Sequence, residues 1–332
     1  MARWLLWRLA GCAVALWLIA TLAFLMVRAA PGGPFGSDQP LPPKVLANLQ
    51  RTFGLAKAVP NPVAGQPPLI QPTTTLEQYT ATLASYARLD FGATFASQGE
   101  RTVAETVAAT FPVSLELGIY ALVLALVFGV GLGWLGALWP GRWVDHLTRT
   151  AALLVVALGT LVLAPLLLWM FGVQWRVLPW GGWVPWSLAP HDMAPKILPV
   201  LTLALVYGAW VARLARAGMV DVLQQPWIAH AKANGLSPLR IVLVHAARPA
   251  LLPVVSYLGP AVAGVVTGSV VVERVFAVPG IGQSFVVAAL NRDYPLVLGT
   301  VLLYAALLLA CNLAVDVAYV WLDPKQRTAG QP

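Results

Sequence analysis

Long uncharged apolar runs alternate with short polar stretches along this sequence. Six of the runs cover residues 9–27, 117–139, 151–173, 197–212, 250–272 and 295–315. Five of them have the length of about 17 to 25 residues that a transmembrane helix needs. The run at 197–212 reaches it if Arg213 and Arg216 extend their aliphatic stems toward the interface. The pattern predicts an all-α integral membrane protein with six transmembrane helices.

A seventh apolar stretch, residues 275–291, decides the topology. It is uncharged, but Pro-Gly-Ile-Gly at 279–282 interrupts it. If it does not span, eleven Lys and Arg residues lie on the side of both termini and four lie in the short loops opposite. That asymmetry is the positive-inside pattern. The sequence therefore predicts that 275–291 is re-entrant and that both termini are cytoplasmic.

The first and last parts of the chain follow the same pattern. Residues 1–28 are predicted to be a retained first transmembrane helix rather than a cleaved signal peptide. Their apolar run is longer than a signal-peptide core, and the sequence RAAP at 28–31 is a poor cleavage site. Residues 113–322 then form a five-helix transmembrane core, and residues 323–332 form a cytoplasmic tail.

Residues 29–112 are the only extended polar segment of the sequence. Ten prolines between positions 31 and 72 preclude a continuous helix there. We expect an extracytoplasmic, proline-rich lid with short helices at 44–53 and 76–88 and a peripheral stretch at 56–75, where prolines preclude core packing. Residues 102–110 suit a helix in the membrane interface, because Val103 and Val107 share one face.

Composition and charge narrow the class of protein. The 332 residues are 59% hydrophobic and 10% charged, against about 25% charged in soluble domains. The net charge of +8 comes from cations at the ends of apolar runs, which indicates a lipid bilayer rather than a nucleic acid as partner. Cys12 and Cys311 both fall in apolar runs, so no disulfide framework is expected.

The sequence contains no recognisable catalytic, cofactor or metal motif. None of the five lysines follows a glycine, so a phosphate-binding G-x-x-x-x-G-K-[ST] loop is impossible, and the four histidines lack metal-ligand spacing. Glu116 and Asp316 are functional candidates because they lie at or within spans. Interfacial hydrogen bonding for Glu116, and a hydrogen bond from Asp316 to a neighbouring helix, are the alternatives.

A short helix with marked ends is predicted between the fourth and fifth spans. Pro226 suits its first position and Gly235 suits a left-handed closing residue. Ser237 and Pro238 then suit the cap and first position of the next helix. A helix of about two turns is marginal alone, so we infer that a second protein holds it.

The motifs around that helix carry a family resemblance. Residues 227–237 (WIAHAKANGLS) and 245–253 (HAARPALLP) resemble the cytoplasmic EAA loop of ABC importer permeases, in particular the oligopeptide/dipeptide branch. The same order of motifs continues at 28–32 (RAAPG), 89–92 (LDFG), 111–117 (FPVSLEL), 272–276 (VERVF), 279–282 (PGIG), 292–295 (RDYP) and 322–325 (LDPK).

The resemblance implies a type I ABC importer permease with a cytoplasmic coupling helix at 226–235. Such a permease is a non-enzymatic inner-membrane subunit without cofactors. Its partners are two cytoplasmic ATPases, a homologous second permease and an extracytoplasmic solute-binding protein that delivers peptides. The coupling helix would insert into an ATPase cleft, where small residues permit close approach and Gly235 sets the exit angle. The residues implied in this contact are Trp227, Ile228, Ala229, His230, Ala231, Lys232, Ala233, Asn234, Gly235 and Leu236.

Several positions depart from the family pattern. Alanine stands at 229 in place of a charged residue, asparagine at 234 in place of lysine, and proline at 249 in place of asparagine. The solute is not fixed by the motifs, and nickel or glycosidic solutes stay open within the family. A secondary transporter, a channel subunit and a membrane enzyme are rival hypotheses, and co-purification with an ATPase separates the first hypothesis from them.

Overall fold

The computed structural model describes residues 2–29, 56–59, 69–72, 74–88, 90–94, 101–184 and 193–322. Within these residues the regular secondary structure is helical apart from one hairpin and an isolated bridge between Ala93 and Thr102. The helices are α1 (Ala2–Ala29), α2 (Thr75–Ala87), α3 (Val103–Leu138), α4 (Trp143–Leu167), α5 (Ala194–Leu223), α6 (Pro226–Ala233), α7 (Pro238–Arg240), α8 (Ala247–Ala250), α9 (Leu252–Val275), α10 (Ile281–Leu290) and α11 (Tyr294–Leu322). π-helical turns continue α4 over Leu168–Gln174 and precede α8 over Ile241–Ala246.

The prediction of an all-helical membrane protein is confirmed. Among the described residues, five helices are long and apolar enough to cross a membrane, namely Leu6–Met26, Val103–Leu138, Trp143–Gln174, Ala194–Leu223 and Tyr294–Val317. A sixth span results if Pro238–Ala250 and Leu252–Val265, which are bent by 51° at Leu251, count as one. Prolines at 249 and 253 flank this bend, and proline is a usual cause of kinks.

The chain divides into two compact units. The first unit comprises residues 1–111 and 284–306. Its α1 and α2 are joined by a hydrogen bond of 2.8 Å between the Thr21 and Tyr79 hydroxyls, and the Phe24 ring lies 5.5 Å from the Tyr79 ring. The second unit comprises residues 112–283 and 307–332, and it contains the largest hydrophobic clusters and the predicted coupling helix.

Helix α3 differs from the prediction at residues 102–110. In place of a separate interfacial helix, one continuous helix runs from Val103 to Leu138 with Pro112 inside it. Val103 is fully buried with Ala288 and Leu296, and Val107 packs on the same cluster. The apolar face that suggested an interface helix is therefore covered by protein. Proline within a membrane helix is tolerated where neighbours satisfy the freed carbonyl.

The proline-rich segment contains a hairpin that the sequence analysis missed. Strand β1 (Ala56–Val59) pairs antiparallel with β2 (Leu69–Pro72) in the register Ala56–Pro72 to Val59–Leu69. Pro72 ends its strand, where the missing N–H is tolerated. The predicted helix at 44–53 lies outside the described residues. The helix predicted at 76–88 is confirmed as α2, with a capping box between Thr74 and Glu77.

Helix α10 lies within the stretch predicted to be re-entrant. It has ten residues, or about 15 Å at 1.5 Å per residue, against a hydrocarbon core of about 30 Å. Helix α9 ends before it at Val275, so residues 275–291 do not form a continuous helix. At this length α10 by itself does not reach across the hydrocarbon core, and the re-entrant path of residues 275–291 stays a prediction.

Candidate coupling helix and its supporting ion pair

Helix α6 has the ends that the sequence predicted. Gln225 is the extended N-cap residue and Pro226 occupies the first helical position. Gly235 has a φ of 74°. The Gly235 N–H donates to Lys232 O at 3.0 Å, and the Leu236 N–H donates to Ala231 O at 3.3 Å. These two bonds form a Schellman motif, which satisfies carbonyls at the helix end.

The side of α6 that faces the protein is anchored in a hydrophobic cluster. Ile228 is completely buried against Met219, Ile241 and Val242. Ala231 and Leu236 are half-buried against the same cluster. The chain's own core therefore holds one face of this short helix, and the contact of its other face with a second protein stays a prediction.

The other side of α6 faces away from the chain. Trp227 is 43% exposed. Also exposed are Ala229, His230, Lys232, Ala233, Asn234 and Gly235. The ten residues predicted to contact an ATPase thus divide into an outward set of seven and an anchoring set of Ile228, Ala231 and Leu236. The sequence analysis did not separate these sets.

The outward surface is basic. No Asp or Glu occurs between Asp221 and Glu273. Within that stretch Lys232, Arg240 and Arg248 are exposed. The surface around α6 therefore carries cations without acidic residues from the same stretch of chain.

An ion pair missed by the sequence analysis lies between α4 and α5. Arg216 donates from Nε to Asp145 Oδ1 at 2.6 Å and from a terminal guanidinium nitrogen to Oδ2 at 2.8 Å. The Gly141 N–H also donates to Asp145 Oδ2, at 3.0 Å. Asp145 is 1% exposed and Arg216 is 24% exposed. Arg216 is thus bound to a carboxylate, whereas the sequence analysis placed its side chain along the membrane interface.

Glycines of α3 allow close packing on α5. A Cβ on Gly129 would lie 2.7 Å from Gly208 O, and one on Gly133 would lie 3.0 Å from the Ala215 Cβ. A Cβ on Gly131 would have no heavy atom within 4 Å. Gly129 and Gly133 therefore lie on the face of α3 that approaches α5 closely, and Gly131 does not.

Two further carboxylates are bound inside the second unit. Glu116 accepts a hydrogen bond of 2.6 Å from Lys196, which is 1% exposed and lies 5.2 Å from the Trp183 ring. The structure therefore places Glu116 in an ion pair between α3 and α5. Among the described residues, no three His, Cys, Asp or Glu side chains lie together as a metal site requires.

Glu273 is the second of these carboxylates and is fully buried. It accepts from the Ser114 and Ser269 hydroxyls at 2.6 and 2.7 Å and from the Gln283 N–H at 3.0 Å. The Ser114 oxygen in turn accepts from the Ile281 N–H at 2.9 Å. Both N–H groups belong to the first turn of α10, where a negative charge is favourable.

Comparison with known proteins gives the family. A family profile described as "Binding-protein-dependent transport system inner membrane component" matches residues 129–328. The chain belongs to this family. Its relatives include the oligopeptide transport system permease protein OppB of Salmonella typhimurium, 40% identical over 98% of this chain and 100% of the relative. The dipeptide transport system permease protein DppB of Bacillus subtilis is 36% identical over 98% of each chain.

The resemblance to oligopeptide/dipeptide ABC permeases is thereby confirmed for this permease. A solved structure described as an amino acid ABC transporter with histidines covers 67% of this chain and 94% of its own, with 13% identity and a TM-score of 0.47. The family profile includes α4 to α9 completely, and therefore α6, Asp145 and Arg216.

Proposed function

We propose that this permease is the membrane subunit of an ATP-driven ABC importer and forms half of a translocation path for di- and oligopeptides. The observation that carries the proposal is the nearly full-length similarity to named oligopeptide and dipeptide permeases. This similarity disfavours the secondary transporter, the channel subunit and the membrane enzyme, and it favours peptides over nickel or glycosidic solutes. An extracytoplasmic binding protein delivers the solute, and a homologous second permease completes the path.

Two cytoplasmic ATPases drive the transport in this proposal, and hydrolysis occurs on them. The outward set of α6 enters a cleft on one ATPase. Ala229 and Ala233 allow close approach there, while Trp227 supplies an aromatic contact at the edge of the helix. Both termini and residues 226–235 lie in the cytoplasm, and residues 29–112 lie on the opposite side of the membrane.

Through the anchoring set, a displacement of α6 by the ATPase would also move the helices that share its hydrophobic cluster. Ile228 belongs to the same buried cluster as Met219 of α5, Ala137 of α3 and Ala250 of α8. A closely packed cluster moves as a body because side chains interdigitate without voids. Displacement of α6 by an ATPase therefore moves the ends of three helices together, which is the kind of rigid-body change that alternating access needs.

Bulky substitutions on the outward set test the proposal. Ala231→Trp is unsuitable because Ala231 is half-buried against the chain's own core. Ala229→Trp and Ala233→Trp instead place a ring where the ATPase would approach. We expect both variants to insert normally, lose ATPase co-purification and lose uptake of a radiolabelled tripeptide. Ala104→Trp, at an exposed alanine in the first turn of α3, is the matched control.

Wild-type ATPase binding and uptake in both outward variants would remove α6 from the ATPase contact. Absence of tripeptide uptake by the wild-type complex, with uptake of nickel or a glycoside instead, would overturn the peptide assignment while leaving the importer role.

A further inference from the structure

The ends of three membrane helices meet at one ion pair. Asp145 lies in the first turn of α4, and Arg216 lies in the last third of α5. The end of α3 contributes Gly136, where an added Cβ would lie 2.8 Å from the Thr148 hydroxyl and 3.4 Å from Asp145 Oδ1. The turn between α3 and α4 adds the Gly141 N–H, which donates to Asp145. The pair therefore joins α4 and α5 and lies against the end of α3.

The geometry of the ion pair indicates that it fixes the orientation of α4 relative to α5. Two parallel N–H···O contacts fix the guanidinium plane against the carboxylate, which a lysine ammonium cannot do. Asp145 is almost entirely removed from water, and the desolvation of such a charge offsets much of the attraction to its partner. A pair of this kind contributes less net stability than its short distances suggest. It does restrict α4 and α5 to one relative rotation.

The same helix ends carry the anchor of α6. On α3, Gly136 of the ion-pair site is followed directly by Ala137, which packs in the cluster around Ile228. On α5, Met219 of that cluster follows Arg216 by three residues, which is about one helical turn. The ion pair and the anchor are thus consecutive layers on two helices. The two sites are therefore adjacent along α3 and α5.

We propose that Asp145 and Arg216 are positioning residues that transmit the movement of α6 to the membrane helices. The pair stays closed and makes the ends of α3, α4 and α5 move as one body with α6. Without the pair, α6 can still dock on the ATPase, but its displacement is absorbed by rotation of α5 against α4. This inference rests on the proposed ATPase contact of α6.

The test is the ratio of peptide imported to ATP hydrolysed by the complete complex in proteoliposomes with its binding protein. We expect Arg216→Gln and Asp145→Asn to keep ATPase co-purification and to lower this ratio at least about fivefold, the low end of typical coupling between sites. Arg216→Lys keeps the charge without the two parallel contacts, and its ratio should lie between those of Arg216→Gln and wild type. Arg213→Gln is the matched control, because Arg213 is exposed one turn earlier on α5 and lies 5.1 Å from the Trp210 ring.

The outcomes separate this inference from the proposed function. A purely structural role would lower the yield of complex and both rates together, leaving the ratio at the wild-type value. That result, or an equal fall in the ratio for Arg213→Gln, overturns the inference. Failure of any ATPase to co-purify with the wild-type permease overturns the proposed function instead. If Arg216→Gln does not assemble, Arg216→Lys is the deciding variant. A wild-type ratio of peptide imported to ATP hydrolysed in Arg216→Lys would then overturn the inference that the ion pair transmits movement.

Discussion

At the scale of single residues, Gly235 determines the direction in which the chain leaves α6. Its φ of 74° lies in the left-handed region, and no heavy atom lies within 4 Å of an added Cβ. A side chain at this position would therefore be disfavoured by backbone strain rather than by crowding. The left-handed conformation costs a residue with a Cβ about 1–2 kcal/mol, and Asn is the residue that best tolerates it.

Gly235→Val should therefore change the exit of α6 and break the Schellman bonds from Gly235 and Leu236. We expect reduced uptake and reduced ATPase co-purification, with normal membrane insertion. Gly235→Asn is the control and should retain most of both activities, because asparagine adopts the left-handed region. Equal losses in the two variants would show that any added side chain at position 235 is harmful, whatever its preference for the left-handed conformation.

At the scale of elements, α10 is held by a side chain from the preceding helix. The Glu273 carboxylate is in contact with two serine hydroxyls and the Gln283 N–H. Gly280 and Gly282 leave the space for it, since a Cβ on Gly282 would lie 2.9 Å from Glu273 Oε2. The glycines of the PGIG motif thus serve the approach of a buried carboxylate to the start of α10.

Glu273→Gln should loosen the first turn of α10. The amide keeps the shape of the side chain, but its NH₂ replaces an acceptor among hydrogen-bond donors, and an unsatisfied buried group costs about 1–3 kcal/mol. We expect faster amide hydrogen exchange at residues 281–284 than in wild type. Arg274→Gln, at the exposed neighbouring position, should leave exchange unchanged. Wild-type exchange in Glu273→Gln would mean that the hydrogen bond from Ile281 N–H to Ser114 is enough to hold the turn.

At the scale of the whole molecule, the side of the membrane on which each loop lies depends on residues 275–291. The described helices give six spans when the bent pair around Leu251 counts as one. Helix α10 adds no crossing because it is too short. An even number of crossings places both termini on the same side, and the distribution of Lys and Arg predicts that this side is the cytoplasm.

Reporter fusions check this topology. A fusion after Gln331 should read cytoplasmic, as should a truncated fusion at Gly141, while one at Arg176 should read extracytoplasmic. The two internal fusions calibrate the reporter on loops whose positions do not depend on 275–291. An extracytoplasmic signal after Gln331 would mean that 275–291 crosses the membrane, and the six-span topology would be wrong.

Features that depend on local rules could be predicted from the amino-acid sequence alone. The length of an apolar run reports a membrane helix because the bilayer has a fixed thickness. The ends of α6 follow from Pro226 and Gly235, because each residue is favoured at its position by its own backbone preference. The order of short motifs also gave the family, since it extends over nearly the whole chain. The β1–β2 hairpin was missed because two four-residue strands between prolines leave almost no periodic pattern.

Only the tertiary structure decided which side chains meet. Asp145 and Arg216 are 71 residues apart, and Ser114 and Glu273 are 159 residues apart. No spacing rule relates such positions, because their contact depends on how whole helices pack. For the same reason the sequence could mark where α6 begins and ends but could not say that Ile228 is buried while Ala229 is exposed. Helix packing divides α6 into an anchored face and an outward face, and the proposed coupling depends on that division.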